Sequence, residues 1–145
     1  MDYERKERQT WDAYFMSIAE AISKRGSCDR AQVGCVIVKD DRLLMAEGYN
    51  GSISGHDHCD VVGHLMHEGH CVRTIHAEMN ALLNAMKKGV SVQSCVAYVT
   101  HRPCPDCTKH LNQAGIKEIV FLKNYRKSHL HKHFEEGMII TPFSG

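Results

Sequence analysis

Hydrophobic positions along the chain change their period several times, and the changes divide it into short elements. Trp11, Tyr14, Phe15, Ile18, Ala19 and Ile22 recur at three- and four-residue steps, which predicts a helix over 10–24 with these side chains in the core. Thr10 fits its N-cap and Gly26 its stop. Val33–Val38 and Leu43–Ala46 are β-rich runs on either side of a Lys39-Asp40-Asp41-Arg42 turn. Met79, Leu82, Leu83 and Met86 mark a second helix over 77–88, closed by Gly89. Val96–Thr100 reads as a strand. Pro105 suits the first position of a third helix, with Cys104 near its N-cap, Leu111 and Ala114 facing inward and Gly115 ending it. A strand over 116–122, a short helix over 127–136 and a last strand near Met138-Ile139-Ile140 complete the pattern. The order α-β-β-α-β-α-β-α-β predicts helices packed around one mixed sheet.

One stretch has no period. From Gly48-Tyr49-Asn50-Gly51 to about Thr74 the chain is polar, and a loop this long inside a compact domain is usually functional or tied down by something. Six of the eleven histidines (His56, His58, His64, His67, His70 and His76) fall within 21 residues, alongside Cys59 and Cys71. Composition otherwise describes an ordinary globular protein: 145 residues, 43% hydrophobic and 24% charged, which fits a single domain over 1–145. A net charge of +1 provides no strong field for nucleic acid or an anionic membrane. The N-terminus has charges of both signs and no apolar core of a secretory signal, and no apolar run reaches membrane-spanning length, so a cytoplasmic protein is expected. In such a chain seven cysteines point to metal binding or buried thiols rather than a disulfide framework. Cys35 and Cys95, inside apolar strand runs, read as buried free thiols.

The chemistry concentrates in His76-Ala77-Glu78 and Pro103-Cys104-Pro105-Asp106-Cys107. One imidazole and two thiols can hold a catalytic zinc through three protein ligands and leave a fourth position for water. Cys104 and Cys107, three apart on a helix's first turn, share a face, and a helix N-terminus favours thiolates. His76 and Glu78 are two apart and would diverge in mid-helix. They meet at one site only if His76 sits where the helix begins. Two thiolates neutralise the metal and leave it a weaker Lewis acid, so a neighbouring base is useful. Glu78 fits that role, taking the proton of the attacking water, passing it to N3 of a cytosine and helping to protonate the departing ammonia at C4. A closed structural zinc site is the bland reading, and the glutamate two residues after the histidine argues against it.

The combination H-x-E with P-C-x-x-C is the signature of the zinc-dependent nucleobase deaminases. With Gly48-Tyr49-Asn50-Gly51, His76-Ala77-Glu78-Met79-Asn80-Ala81, Tyr98-Val99-Thr100 and Gln113-Ala114-Gly115-Ile116-Lys117, the chain resembles the cytidine/deoxycytidylate deaminase superfamily, specifically its dCMP deaminases, over roughly residues 10–125. Gly69-His70-Cys71-Val72-Arg73 is similar to a bacterial subgroup encoded in competence operons. The resemblance implies a three-layer α/β/α cytidine-deaminase-like fold and conversion of dCMP to dUMP. It implies zinc at His76, Cys104 and Cys107, with substrate contacts at Asn50, Ala77 and Tyr125. Asn-Gly also favours turns by itself, so Asn50 carries both readings. The family's habits further imply a hexamer activated by dCTP and inhibited by dTTP, with Mg2+ accompanying the nucleotide and Gly48, Asn50 and Gly51 near the effector.

Several dCMP deaminases that this chain resembles hold a second, structural zinc, which would explain an ordered insertion over about 52–74. Cys28, Cys59 and Cys71 are the candidate ligands, together with His70 or His67. Resemblance favours His70, and helical spacing to Cys71 favours His67. For the phosphate, Arg30, Arg73, Arg102, Lys109, Arg126 and Lys127 are all candidates and nothing separates them. Competing functions are a tRNA adenosine deaminase, which the near-neutral charge disfavours, a guanine deaminase, and a non-catalytic zinc module acting in competence. The last would tolerate Glu78→Gln; an enzyme would not.

Overall fold

Buried strands and small helix faces bring the two halves of the motif to one end of a mixed sheet. The computed structural model describes residues 3–4, 6–28, 31–124 and 129–145. In chain order its elements are α1 (Trp11–Ser23), β1 (Gly34–Val38), β2 (Leu44–Tyr49), α2 (Cys59–Val62), β3 (Met66–His67), β4 (His70–Cys71), α3 (Ala77–Lys88), β5 (Val96–His101), α4 (Pro105–Gln113), β6 (Glu118–Lys123), α5 (His129–Glu135) and β7 (Ile139–Pro142). Five strands lie in the order β2-β1-β5-β6-β7, and β3 with β4 form a separate hairpin. β1 is antiparallel to both its neighbours, whereas β5, β6 and β7 run parallel. The expected three layers are present.

Every residue of β1 is buried, because both faces of the sheet are covered. Cys35 and Ile37 face the core beneath α3 and α4, with Ala81, Leu111 and Ile119. Val36 and Val38 face the opposite core, against Phe15, Met16 and Ala19 of α1. The period-two alternation of the strand thus separates two hydrophobic clusters.

Two helix faces differ from the sequence pattern. In α1 the buried arc is Phe15, Met16, Ala19 and Ser23, while Trp11 and Tyr14 are 52% and 45% exposed. Trp11 is stacked on Phe15, with the Arg42 guanidinium 5.6 Å from its ring centroid. In α3 the buried residues are Ala77, Glu78, Ala81 and Ala85, and Met86 is exposed. Small side chains let this helix lie almost on the backbone of β2. A Cβ on Gly48 would stand 2.4 Å from the Ala81 nitrogen and 2.5 Å from the Ala77 carbonyl oxygen, so only glycine fits there. Asn80 and Asn84 donate side-chain hydrogen bonds to the Tyr49 and Glu47 carbonyls (2.9 and 2.7 Å), fixing α3 to the same strand. Among the described residues, no helix is long and apolar enough to cross a membrane.

Candidate active site

His76 is the N-cap of α3, with extended backbone at φ −62°, ψ 151°, so the chain bends at this residue as the ligand geometry requires. Cys104 is the N-cap of α4 and Pro105 its first helical residue, whose missing N–H is no loss at that position. The Cys107 N–H donates to the Cys104 sulfur at 3.4 Å, one helix-start donor satisfied by a prospective ligand. Two helix starts therefore converge. His76 Nδ1 lies 3.7 Å from Cys104 Sγ and 3.3 Å from Cys107 Sγ, and all three ligand atoms are within 4.8 Å of one another.

Hydrogen bonds and burial shift the donors in different directions. Hydrogen bonding from Cys107, chiefly, brings the Cys104 thiol down to about 4, a thiolate at neutral pH. The Cys107 thiol moves up as the donor of that bond and through burial. The hydrogen bond with Cys104 raises the imidazole of His76 above its ordinary value. Glu78, second residue of α3, is buried, and burial pushes its carboxyl up to about 7. Its charge in turn adds to the burial that raises the Cys35 thiol beneath it. A soft cation held by two sulfurs and one nitrogen fits this donor set, with Glu78 beside it.

A second group of donors lies in the insertion. Cys28, Cys59, His64 and Cys71 also place their ligand atoms within 4.8 Å of one another. Cys28 Sγ is 3.5 Å from His64 Nδ1, and Cys59 Sγ is 3.5 Å from Cys71 Sγ. Burial and the hydrogen bond with Cys71 push the Cys59 thiol up to about 12. Burial opposes the Cys71 thiolate too, but the Arg73 and Leu65 N–H groups and the Cys59 and His64 side chains bring it down to about 6. The histidine here is His64, not His70 or His67. His70 and Cys71 are consecutive on β4, so their side chains point to opposite faces, and His67 is the exposed partner of His70 across the hairpin. The sequence holds no periodic signal for His64, which lies just past a single helical turn.

The remaining candidates fall into three groups. Asn50 is buried, and its amide serves the backbone: Oδ1 accepts from Val33 N–H (2.7 Å) and Nδ2 donates to the Ala31 carbonyl (2.7 Å). Gly51 pairs with Ile75 in an isolated bridge, which ties the motif to the residue before His76. Ala77 is buried in the first turn of α3. Among the cations, Arg102 is paired with Glu135, Lys109 lies near Asp106 and over Phe134, and Arg73 donates to the Gly63 carbonyl. Tyr125, Arg30, Arg126 and Lys127 lie outside the described residues.

Comparison with known proteins decides the lineage. The model of the cytidine and deoxycytidylate deaminase zinc-binding region matches residues 9–123, which contain every donor of both groups. The chain belongs to this deaminase family. It is 48% identical over 120 residues to ComE operon protein 2 of Bacillus subtilis, covering 83% of this chain and 63% of that protein. It is 35% identical over 133 residues to the deoxycytidylate deaminase of Schizosaccharomyces pombe, covering 81% of this chain and 38% of the yeast protein. The chain thus spans less than two thirds of either relative. Among solved structures, the dCMP deaminase of cyanophage S-TIM5 in complex with dCMP and dUMP superposes with a TM-score of 0.77 at 31% identity. That match covers 90% of this chain and 95% of the phage deaminase.

Proposed function

We propose that the chain hydrolyses dCMP to dUMP and ammonia, supplying dUMP for thymidylate synthesis. One observation carries the reading: Glu78 is buried beside the His76, Cys104 and Cys107 donors, in a chain that overlays along nine tenths of its length on a deaminase holding dCMP and dUMP. His76, Cys104 and Cys107 would hold a zinc ion, which would supply the Lewis acidity for activating water. The protein does the rest. A carboxyl raised to about 7 both accepts and returns a proton near neutral pH. Glu78 takes one proton of the attacking water and gives it to N3 of the cytosine. It then takes the remaining proton of the hydroxyl formed at C4 and passes it to the amino group, which leaves as ammonia while C4 becomes a carbonyl. The Ala77 backbone at the start of α3 and the Asn50 side chain face the base and the sugar. Asn50 keeps a second amide proton for this contact beyond the one it gives to Ala31.

The finer parts of the proposal rest on resemblance: dCTP activation and dTTP inhibition with Mg2+ near 48–51, a hexamer, a cytoplasmic location, and one catalytic domain over 1–145 carrying one catalytic and one structural zinc. Gly48 has a packing role of its own, so the effector reading falls mainly on Asn50 and Gly51. The test is ammonia release from dCMP, CMP, deoxycytidine, dCTP and guanine, with zinc counted in the same sample. Release from dCMP alone supports the reading. Turnover of guanine or deoxycytidine instead would move the chain to another branch, and no turnover with zinc and dCTP present would sink the enzyme reading.

A further inference from the structure

The C-terminal helix α5 lies beyond residues 9–123, outside the part of the chain that defines the family. It nevertheless grips the backbone that delivers Cys104. His131 is 4% exposed, and its Nε2 donates to the Pro103 carbonyl at 3.1 Å. Four residues on, Glu135 accepts from Arg102 Nε at 3.1 Å and pairs with the same guanidinium through Nη2. Residues 131 and 135 share one face of a helix, and Arg102 and Pro103 are the two residues immediately before Cys104. The helix is itself held from α4, where Asn112 Nδ2 donates to the Phe134 and Glu136 carbonyls, each at 2.9 Å. The Thr108 hydroxyl completes the arrangement by donating to the Cys104 carbonyl at 2.9 Å. Arg102 and Pro103 are thereby held from α5, and Cys104 from the next turn of its own helix α4.

We propose that His131 and Glu135 form a clamp that positions Cys104 as a ligand, His131 through the Pro103 carbonyl and Glu135 through Arg102. The proposal rests on the reading of His76, Cys104 and Cys107 as zinc ligands. The clamp's chemistry is that of an outer-shell partner: it touches neither metal nor substrate, and sets the direction from which the sulfur approaches. Because the acceptor is a carbonyl, His131 must carry its proton on Nε2. A glutamine amide can reach the same carbonyl, and an alanine cannot.

The test follows the zinc-loaded full chain in excess chelator, recording both zinc transferred and dCMP turnover lost, since turnover reports the catalytic metal alone. His131→Ala should lose that metal about 10- to 100-fold faster than the wild type, with Glu135→Gln intermediate. His131→Gln should restore most of the difference. Val38→Ala, which weakens the core on the other side of the sheet, serves as the control and should lose zinc at the wild-type rate. Wild-type release from His131→Ala or from Glu135→Gln would overturn the clamp, as would equal acceleration by Val38→Ala or failure of glutamine to rescue. Should His131→Ala not fold, the Glu135→Gln and His131→Gln results decide alone. Zinc content in Cys104→Ser equal to that of the wild type would instead sink the ligand reading beneath the clamp.

Discussion

The two cysteine–histidine groups use the same ligand atoms and rest on opposite kinds of foundation. His76, Cys104 and Cys107 stand at the starts of two helices whose inner faces lie in the main core, and a buried carboxyl adjoins them. Cys28, Cys59, His64 and Cys71 come from loops, one helical turn and a two-residue strand, and Cys59 is the only buried residue between 52 and 74. Ile53, Val61, Val62, Leu65, Met66 and Val72 of that segment are exposed, so little apolar burial holds it. The first group therefore rests on core packing of its own, and its three donors would leave a coordination position for chemistry. The second offers four donors, which would leave no position to spare, and little else orders its chain, which suits a structural metal.

The sharpest way to separate the two is to remove what only one of them has. Glu78→Gln keeps the shape of the side chain and deletes the proton acceptor. Turnover of dCMP should fall by about 100- to 10,000-fold with zinc content unchanged. Ammonia release and metal counting on the same sample check it, and a loss of zinc would make Glu78 structural. Cys59→Ser should do the reverse. One zinc per chain should be lost, amide protection across 59–71 should collapse, and stability should drop by about 4 kcal/mol or more if the insertion folds with the body. Hydrogen exchange and thermal melting read this out. Unchanged protection would show that the insertion does not need its metal.

How much of this was legible in the sequence follows the same division. The donors of the first group could be read because element boundaries have their own signals: Pro105 at the first position of α4, Gly89 as the left-handed stop of α3, alternation in the strands between. Even the condition that His76 begin its helix followed from two-residue spacing. The helix faces were less legible. The pattern in α3 pointed to Met79, Leu82, Leu83 and Met86. Leu82 does pack against the core, but Met86 is exposed and the fully buried positions are the alanines and Glu78, because backbone-to-backbone approach at Gly48 favours small residues over large ones. His64 was not legible at all. Its position depends on where a chain without periodicity turns, which is set by donors meeting in space. His131 was hidden for a different reason: its partner is a carbonyl, which every residue has.

Gly48→Ala probes the foundation of the first site alone. The added methyl must push α3 away from β2, since the Ala77 carbonyl and Ala81 nitrogen it meets belong to backbone. A loss of about 1–3 kcal/mol is expected, as for other overpacked positions. Turnover should fall alongside, because His76 and Glu78 ride on the displaced helix, while the Cys59 group keeps its zinc. A variant with normal stability that had lost only its response to dCTP would place Gly48 at the effector instead.

The smallest effect tests the ligand assignment of the second site. His70 is exposed on β4, with a side chain directed away from its neighbour Cys71, so His70→Ala should change melting by no more than about 0.5 kcal/mol and leave zinc content alone. His64→Ala removes a donor 3.5 Å from Cys28 Sγ and should weaken or abolish the second zinc while turnover of dCMP persists. Metal content by competition with a chelator distinguishes the pair. The reverse result, with His70→Ala losing zinc, would require the β3–β4 hairpin to reverse its facing, because a strand cannot aim two consecutive side chains at one ion. Retention by both variants would mean that three cysteines suffice and that the fourth position is open, which would erase the contrast between a closed site and a catalytic one.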